Sequence, residues 1–160
     1  MRPQRIIWHH TAINSMDAQF KRTNQFHEQR KFPKSSLGFY VGYHILVEPD
    51  GSIVRARQDD EIGAHDHGEN SNSLGIALAG NFSDHAPTEL QAAAAARVVS
   101  EWCKKWKIPV TRIEPHRWDD ATECPGKFLP DDWMLQQYLE REAAIGPKLF
   151  WKLGKVLGLL

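Results

Sequence analysis

The chain has few cysteines, no net charge and no long hydrophobic run. Its 160 residues include two cysteines, Cys103 in a helical pattern and Cys124 in a turn, which is too few for a disulfide framework. Lys plus Arg and Asp plus Glu both number 20, which argues against nucleic-acid binding driven by bulk charge. No apolar stretch reaches the roughly 18 residues of a membrane span. The N-terminal run of residues 6–8 is too short for a signal peptide, so we expect a soluble chain made in the cytoplasm.

The pattern of apolar residues predicts one α/β domain with a mixed central sheet flanked by helices. Strands are expected at residues 5–9, 40–47, 52–57, 74–80 and 110–113, and helices at 17–31, 88–106 and 131–142. The turn Glu48-Pro49-Asp50-Gly51 predicts a β-hairpin between the second and third strands. Thr88 to Gln91 matches a capping box, and it opens a helix whose predicted apolar stripe is Leu90, Ala94, Val98 and Trp102.

A basic segment closes the chain. Gly146 and Pro147 are expected to end the last helix, which divides the chain into a domain of residues 1–145 and a tail of residues 146–160. The tail carries Lys148, Lys152 and Lys155 on one helical stripe and has no acidic residue. Two interpretations stay open: an amphipathic helix docked on the domain's own core, or a cationic amphipathic helix that contacts an anionic membrane.

Three residues far apart in the sequence suggest a metal site. His116 follows a predicted strand, and Cys124 comes eight positions later in a Cys-Pro-Gly turn. Imidazole nitrogen and thiolate sulfur suit zinc, and His9 at the end of the first strand is the obvious third ligand. Three ligands leave the fourth tetrahedral position open, which is the catalytic arrangement. Taken singly, each histidine is more typical of a hydrogen-bonded core or surface residue, so these residues alone leave both interpretations open.

Four sequence blocks occur in a recognisable order. They are His9-His10-Thr11-Ala12, Gly42-Tyr43-His44, His65 with Asn72-Ser73-Leu74-Gly75-Ile76, and His116 with Cys124-Pro125-Gly126. Together they resemble the zinc-dependent type-2 N-acetylmuramoyl-L-alanine amidases, which include phage lysozyme-amidases and animal peptidoglycan recognition proteins. The resemblance covers roughly residues 5–135. It implies Zn²⁺ as the cofactor, peptidoglycan as the substrate, and hydrolysis of the amide between N-acetylmuramic acid and L-alanine.

The resemblance also implies roles for single residues. The zinc ligands fall on His9, His116 and Cys124; the catalytic positions on Tyr43 and Thr122; and the substrate-binding positions on His65 and Asn72. His10 is expected to point into the core. Tyr43 matches a tyrosine beside the metal. Thr122 stands where phage enzymes have lysine and recognition proteins often have threonine. His65 is expected either to contact substrate, to assist proton transfer or to be an ordinary loop histidine.

Two positions indicate a branch of this family. Ala77 stands where another branch has a glutamate, and Cys124 stands where that branch has an aspartate. Both favour the phage branch, so we expect a monomeric endolysin that is made in the host bacterial cytoplasm and acts on the periplasmic cell wall. The alternatives are a non-catalytic peptidoglycan-binding module and a cellular wall-recycling amidase.

Overall fold

A five-stranded mixed sheet lies at the centre of the domain. The computed structural model describes the backbone of residues 1–156 and the side chains of residues 1–146. Its strands are β1 (Arg5–His10), β2 (Ile45–Val47), β3 (Ile53–Arg55), β4 (Ser73–Leu78) and β5 (Ile113–Pro115). Its helices are α1 (Phe20–Gln29), α2 (Glu89–Trp106) and α3 (Trp133–Val156), with 3-10 turns at Val110–Arg112 and His116–Trp118. The order is β3-β2-β4-β1-β5, and β2 pairs antiparallel with β3 while the other neighbours pair parallel. The expected mixed α/β fold and the hairpin are confirmed.

The two faces of the sheet differ in chemistry. On one face Ile6 and Trp8 lie in the hydrophobic core with Val99 of α2 and other apolar residues of β4, α2 and α3. Because successive strand residues point to opposite faces, Arg5 and His9 of the same strand point away from this core. Their face is covered by loops and carries polar side chains. The alternation in β1 therefore places its apolar side chains in the core and its polar side chains, including His9, on the opposite face of the sheet.

The start of α1 is set by a residue of the hairpin. The helix was expected from residue 17 and begins at Phe20. The buried carboxylate of Glu48 accepts hydrogen bonds from the backbone N–H groups of Gln19 and Phe20, each at 2.8 Å. A negative charge at a helix N-terminus satisfies free donors and is favourable for the helix dipole. This contact between distant segments determines the first helical residue.

Several predicted strands are shorter in the structure, and the one expected at residues 52–57 is limited to Ile53–Arg55. Residues 40–44 are irregular, and the predicted strand at residues 110–113 is mostly a 3-10 turn that precedes β5. The loop that carries Ala64 crosses residues 40–44 closely: a Cβ built on Gly42 would lie 2.0 Å from the Ala64 carbonyl oxygen. That crossing displaces the chain from regular strand geometry, and only glycine fits there.

The capping box of α2 is confirmed, but its buried face differs from the prediction. The Thr88 hydroxyl accepts from the Gln91 backbone N–H at 3.1 Å, and the Gln91 side chain accepts from the Thr88 N–H at 3.2 Å. Leu90, the first residue of the predicted stripe, is 61% exposed, whereas Gln91 is buried. The Gln91 amide donates to the carbonyl groups of Val47 and Ala79, at 3.3 and 2.8 Å. A polar side chain thus takes the buried position because it satisfies carbonyl oxygens at the sheet edge.

The last helix does not end where the sequence suggested. α3 continues from Trp133 to Val156 through Gly146 and Pro147. Pro147 has no backbone N–H to donate within the helix, so it removes one hydrogen bond without ending the helix. The side chains of residues 147–156 and all of residues 157–160 lie outside the described part, so the amphipathic tail stays a prediction. Among the helices that the structure describes, none is long and apolar enough to cross a bilayer.

Asp59 connects the sheet edge to α2. Its buried carboxylate accepts hydrogen bonds from Lys105 at 2.7 Å and Trp102 at 3.1 Å, and it also pairs with Arg55. Burial alone would raise the pKa of Asp59, but the hydrogen bonds from Lys105 and Arg55 outweigh it and lower the pKa to about 2. The ionised carboxylate therefore stabilises the folded state.

Asp59→Asn should lower the free energy of unfolding by about 2–3 kcal/mol at neutral pH, because it removes the charge that Lys105 and Arg55 face. Since the folded pKa lies below that of the unfolded chain, this stabilisation is present above about pH 4 and is lost as the pH falls through about 2. Urea unfolding of both proteins across this range measures it. As a control, Glu101→Gln removes an exposed pair with Arg97 and should cost less than about 0.5 kcal/mol. Equal losses in the two variants would contradict the role of Asp59.

Candidate metal centre

Two adjacent parallel strands bring the histidines together. In the register of β1 and β5, Trp8 lies opposite Pro115. The next residues, His9 and His116, therefore lie side by side at the carboxyl end of the paired strands. Their ring centroids are 4.4 Å apart. His9 is 1% exposed. The strand pairing alone thus accounts for two of the three expected ligands.

The turn that contains Cys124 brings its side chain next to His9. Its sulfur lies 3.8 Å from Nδ1 of His9 and accepts the backbone N–H of His10 at 3.4 Å. The backbone N–H of Cys124 donates to the Thr122 hydroxyl at 3.2 Å. Gly126 has a φ of +105°, and a Cβ there would lie 2.4 Å from the backbone of Phe82. Glycine is therefore required for the turn to pack under the sheet edge.

The three side chains form a compact donor set. One ligand atom each from His9, His116 and Cys124 lies within 4.8 Å of the others. Nε2 of His116 faces a carboxylate oxygen of Asp120 at 3.2 Å, while its Nδ1 is buried and has no hydrogen-bond partner among the described residues. An ionised carboxylate only accepts, so Nε2 carries the proton and Nδ1 keeps its lone pair. A buried lone pair beside a histidine nitrogen and a sulfur fits a metal ion.

Burial keeps the metal-free site neutral. It lowers the pKa of His9 well below the ordinary value, with smaller contributions from neighbouring histidines. It also lowers the pKa of His116, against the opposing effect of Asp120. Burial raises the pKa of the Cys124 thiol to about 12. The histidines are therefore ready to act as ligands, whereas the thiolate needs a cation beside it to form at neutral pH.

A second layer of carboxylates lies behind His116. Asp66 is 2% exposed, and both of its oxygens are buried without a hydrogen-bond partner in the described structure. Burial, together with the charges of Asp119 and Asp120, raises its pKa to about 7. Asp66, His116 and Asp120 also offer ligand atoms within 4.8 Å of one another, but the nitrogen on that side is the protonated Nε2. This layer therefore fits a role in orienting the ring of His116.

The phenol and the open groove lie beside the donor set. The half-buried Tyr43 ring is 5.1 Å from the ring of His9 and 5.6 Å from that of His27. Burial raises the pKa of Tyr43, so its hydroxyl stays protonated and can donate. A groove of about 410 Å³ runs from Tyr43 between residues 11–13 and the Arg22 and Phe26 side of α1. One end of this groove is therefore formed by Tyr43, whose ring lies beside that of His9.

Comparison with known proteins identifies the family. The N-acetylmuramoyl-L-alanine amidase family, Amidase_2, matches residues 1–127. The chain belongs to this family. The four sequence blocks had predicted this membership, and it is confirmed.

Relatives in the family include amidases and recognition proteins. The chain is 32% identical to peptidoglycan-recognition protein SC2 of Drosophila melanogaster over 122 residues, which is 75% of this chain and 66% of that protein, just under two thirds of its length. The amidase LysC from Clostridium intestinale URNW superposes with a TM-score of 0.72 at 30% identity, covering 91% of this chain and 87% of LysC. The Ph2119 endolysin from a Thermus scotoductus bacteriophage superposes with a TM-score of 0.67 at 26% identity, covering 79% of each chain.

The structure also shows the positions of His10, His65 and Thr122. His10 is buried on the core side, where its Nδ1 accepts the Phe82 N–H at 3.2 Å, as predicted. His65 lies in the loop before β4, as expected, but it is only 9% exposed and lies behind His9, with its Nδ1 at 3.1 Å from Nε2 of His9. Thr122 holds the Cys124 turn through its hydroxyl oxygen. Its role as a catalytic donor stays a prediction.

Asn72 lies towards the opposite end of the strands from the donor set. It directly precedes β4, and its backbone carbonyl accepts from Gln4 at 2.7 Å. In the β1–β4 register Ser73 is opposite Arg5, whereas His9 is opposite Ala77. Four residues of strand separate these pairs, a distance of about 13 Å. Because the strands are parallel, Asn72 lies away from the donor set, and its expected contact with substrate stays a prediction.

The sequence did not indicate several residues that surround the donor set. Asp120 received no role from the sequence, although it contacts His116 four positions earlier; that spacing on a tight turn was the available signal. Asp66, Ser73 and His27 had no local signal, because their places depend on how the loops fold over the sheet.

Gly75→Ala tests the packing of His65 on the sheet. The added Cβ would lie 2.5 Å from Cδ2 of the buried His65 ring, so we expect the free energy of unfolding to fall by about 1–3 kcal/mol. In the matched control Gly146→Ala, nothing lies within 4 Å of the added Cβ in α3, and stability should rise by up to about 1 kcal/mol. Urea unfolding of both variants measures whether the free energy of unfolding falls in Gly75→Ala and rises in Gly146→Ala. No loss in Gly75→Ala would show that the ring is not packed as described.

Proposed function

We propose that this chain is a zinc-dependent amidase that hydrolyses the bond between the lactyl group of N-acetylmuramic acid and L-alanine in peptidoglycan. The observation that carries the proposal is the donor set of His9, His116 and Cys124, in which the buried Nδ1 of His116 has no hydrogen-bond partner among the described side chains. Two imidazole nitrogens and one sulfur form a donor set that zinc prefers, and three protein ligands leave one position for chemistry.

The side chains around the donor set have distinct tasks. His9, His116 and Cys124 hold the ion, and Asp120 keeps the ring of His116 in place. When bound at such a site, zinc activates water near neutral pH and polarises the scissile carbonyl. Tyr43 keeps its proton, because burial raises its pKa, and its hydroxyl donates to the oxygen that becomes negative during attack.

Thr122 is proposed as the second donor. Its oxygen already accepts the N–H of Cys124, which leaves the hydroxyl hydrogen free. In this arrangement Thr122 holds the Cys124 turn and donates its hydroxyl hydrogen to the reacting carbonyl. A hydroxyl donor carries no charge, so its share of the stabilisation is smaller than that of an ammonium group in the same position.

Binding without cleavage is the second candidate, and it is favoured by the similarity to a peptidoglycan-recognition protein. The presence of Cys124 and Tyr43 supports the enzyme instead, because a module that only binds the wall needs neither a sulfur ligand nor an oxyanion donor. Within the enzyme proposal we favour a phage endolysin over a wall-recycling amidase, because of Cys124 and Ala77 and the similarity to the Ph2119 endolysin.

The deciding experiment measures zinc and cleavage together. The purified chain should hold about one zinc per molecule and release stem peptides with new N-terminal L-alanine from purified sacculi. Cys124→Ser should lower zinc affinity and reduce cleavage at limiting zinc, while Cys103→Ser, at the buried cysteine of α2, should leave both unchanged. Stoichiometric zinc without peptide release would support the binding module and overturn the enzyme proposal.

The basic C-terminal segment is proposed to contact anionic membrane, on the basis of Lys148, Lys152 and Lys155 without an acidic residue among residues 147–160. Deleting residues 147–160 should leave the cleavage of isolated sacculi unchanged and reduce lysis of whole bacteria with an intact outer membrane. Replacing the three lysines by glutamine should reduce lysis in the same way. Full lysis by both variants would refute the membrane role.

A further inference from the structure

The hydrogen bonds behind His9 have a direction that follows from their last acceptor. The Ser73 hydroxyl lies 2.7 Å from the backbone carbonyl oxygen of Glu69. A carbonyl oxygen only accepts, so the single hydroxyl hydrogen of Ser73 points to Glu69. The Ser73 oxygen can then only accept on its other side, where Nε2 of His65 lies 3.4 Å away. Nε2 of His65 is therefore the nitrogen that carries the proton.

The same reasoning reaches the metal centre. A neutral His65 with its proton on Nε2 has a lone pair on Nδ1, and this atom is 3.1 Å from Nε2 of His9. His9 must therefore donate from Nε2, which leaves the lone pair on its Nδ1. That nitrogen faces the sulfur of Cys124 at 3.8 Å. A chain of three hydrogen bonds thus ends with the ligand atom aimed into the donor set.

We propose that His65 and Ser73 are positioning residues that hold His9 in the tautomer with a free Nδ1, and so set the metal affinity of the site. This inference rests on the metal centre of the proposed function. It replaces the expectation that His65 contacts substrate. The device differs from the one at His116, where the carboxylate of Asp120 accepts from Nε2. Each histidine therefore presents Nδ1, and each is oriented by a different partner.

The surroundings of His65 are built to hold its ring. Ser73 is fully buried, and a Cβ on either Gly63 or Gly75 would lie 2.5 Å from Cδ2 of His65. The two glycines leave space for a flat ring and for little else. Because the ring is wedged there, it cannot rotate away from His9 without moving the backbone. The buried position also leaves His65 without access to the groove beside Tyr43.

The first measurement is the tautomer of His9 in the metal-free protein. Long-range ¹H–¹⁵N spectra distinguish the protonated ring nitrogen from the one with a lone pair. The wild type should show the proton on Nε2 of His9 and on Nε2 of His65. In Ser73→Ala, which removes one buried oxygen and little volume, the His65 proton is released from its acceptor and a second tautomer of His9 should appear.

The second measurement is zinc affinity by competition with a chelator. His65→Leu removes the acceptor for His9 and should weaken zinc binding about 10- to 100-fold, the usual effect of losing the partner of a metal-bound histidine. His65→Asn places an oxygen at the same distance along the side chain as Nδ1 and should restore most of the affinity. Ser73→Ala should have an intermediate effect.

Two further variants separate positioning from other roles. His44→Asn alters a neighbouring buried histidine that accepts the Gly75 N–H at 3.0 Å, so it should lower stability and leave zinc affinity unchanged. Tyr43→Phe should lower kcat and also leave zinc affinity unchanged. Variants of His65 should instead lose activity at limiting zinc and recover it when zinc is added in excess.

The outcomes distinguish the inference from the function on which it rests. An unchanged His9 tautomer in Ser73→Ala together with unchanged zinc affinity in His65→Leu would overturn the inference, even if the wild type is an active zinc amidase. A raised KM in His65→Asn at full zinc loading would also overturn it and favour a substrate contact. Failure of the wild type to bind zinc would refute the proposed function, while the tautomer measurement would still decide whether His65 orients His9.

Discussion

The candidate site depends on the parallel pairing of β1 with β5. Their register places His9 and His116 next to each other, and a slip of one residue would turn one ring to the core face. β5 has three residues, so its own hydrogen bonds determine the register weakly. The buried guanidinium of Arg5 strengthens it, because it pairs with Glu114 of β5 and with Asp119 beyond it. The ion pairs of this face therefore hold the strands that carry the ligands.

Charge and burial together make the site suited to a cation. The buried thiol of Cys124 is costly to ionise alone, and the buried carboxyl of Asp66 faces the charges of Asp119 and Asp120. Burial and these acidic neighbours raise the pKa of Asp66 to about 7, which indicates an excess of negative charge beside His116. A divalent ion between the ligands would offset both the thiolate and this surplus. The histidines contribute lone pairs without adding charge.

Sequence patterns predicted the elements whose cause is local. The hairpin at Asp50-Gly51, the capping box at Thr88 and the buried first strand all depend on neighbouring residues, and all are confirmed. The predictions that were wrong concern features that depend on contacts between residues far apart in the sequence. α1 begins where Glu48 reaches its N-terminus, and Leu90 is exposed because Gln91 satisfies carbonyl groups of other segments. No local pattern reports such contacts.

The sequence by itself determined the family, the mixed α/β fold and the residues that meet at the donor set. The reason is that the ordered motifs and the strand periodicity are local patterns, which can be recognised without knowing the tertiary contacts. Only the tertiary structure decided what surrounds them. It placed His65 behind His9, put Asn72 before the far end of the parallel strand β4, and made Asp120 a partner of His116. These outcomes depend on strand register and loop crossings, which join residues far apart in the chain, so they arise only when the whole domain folds.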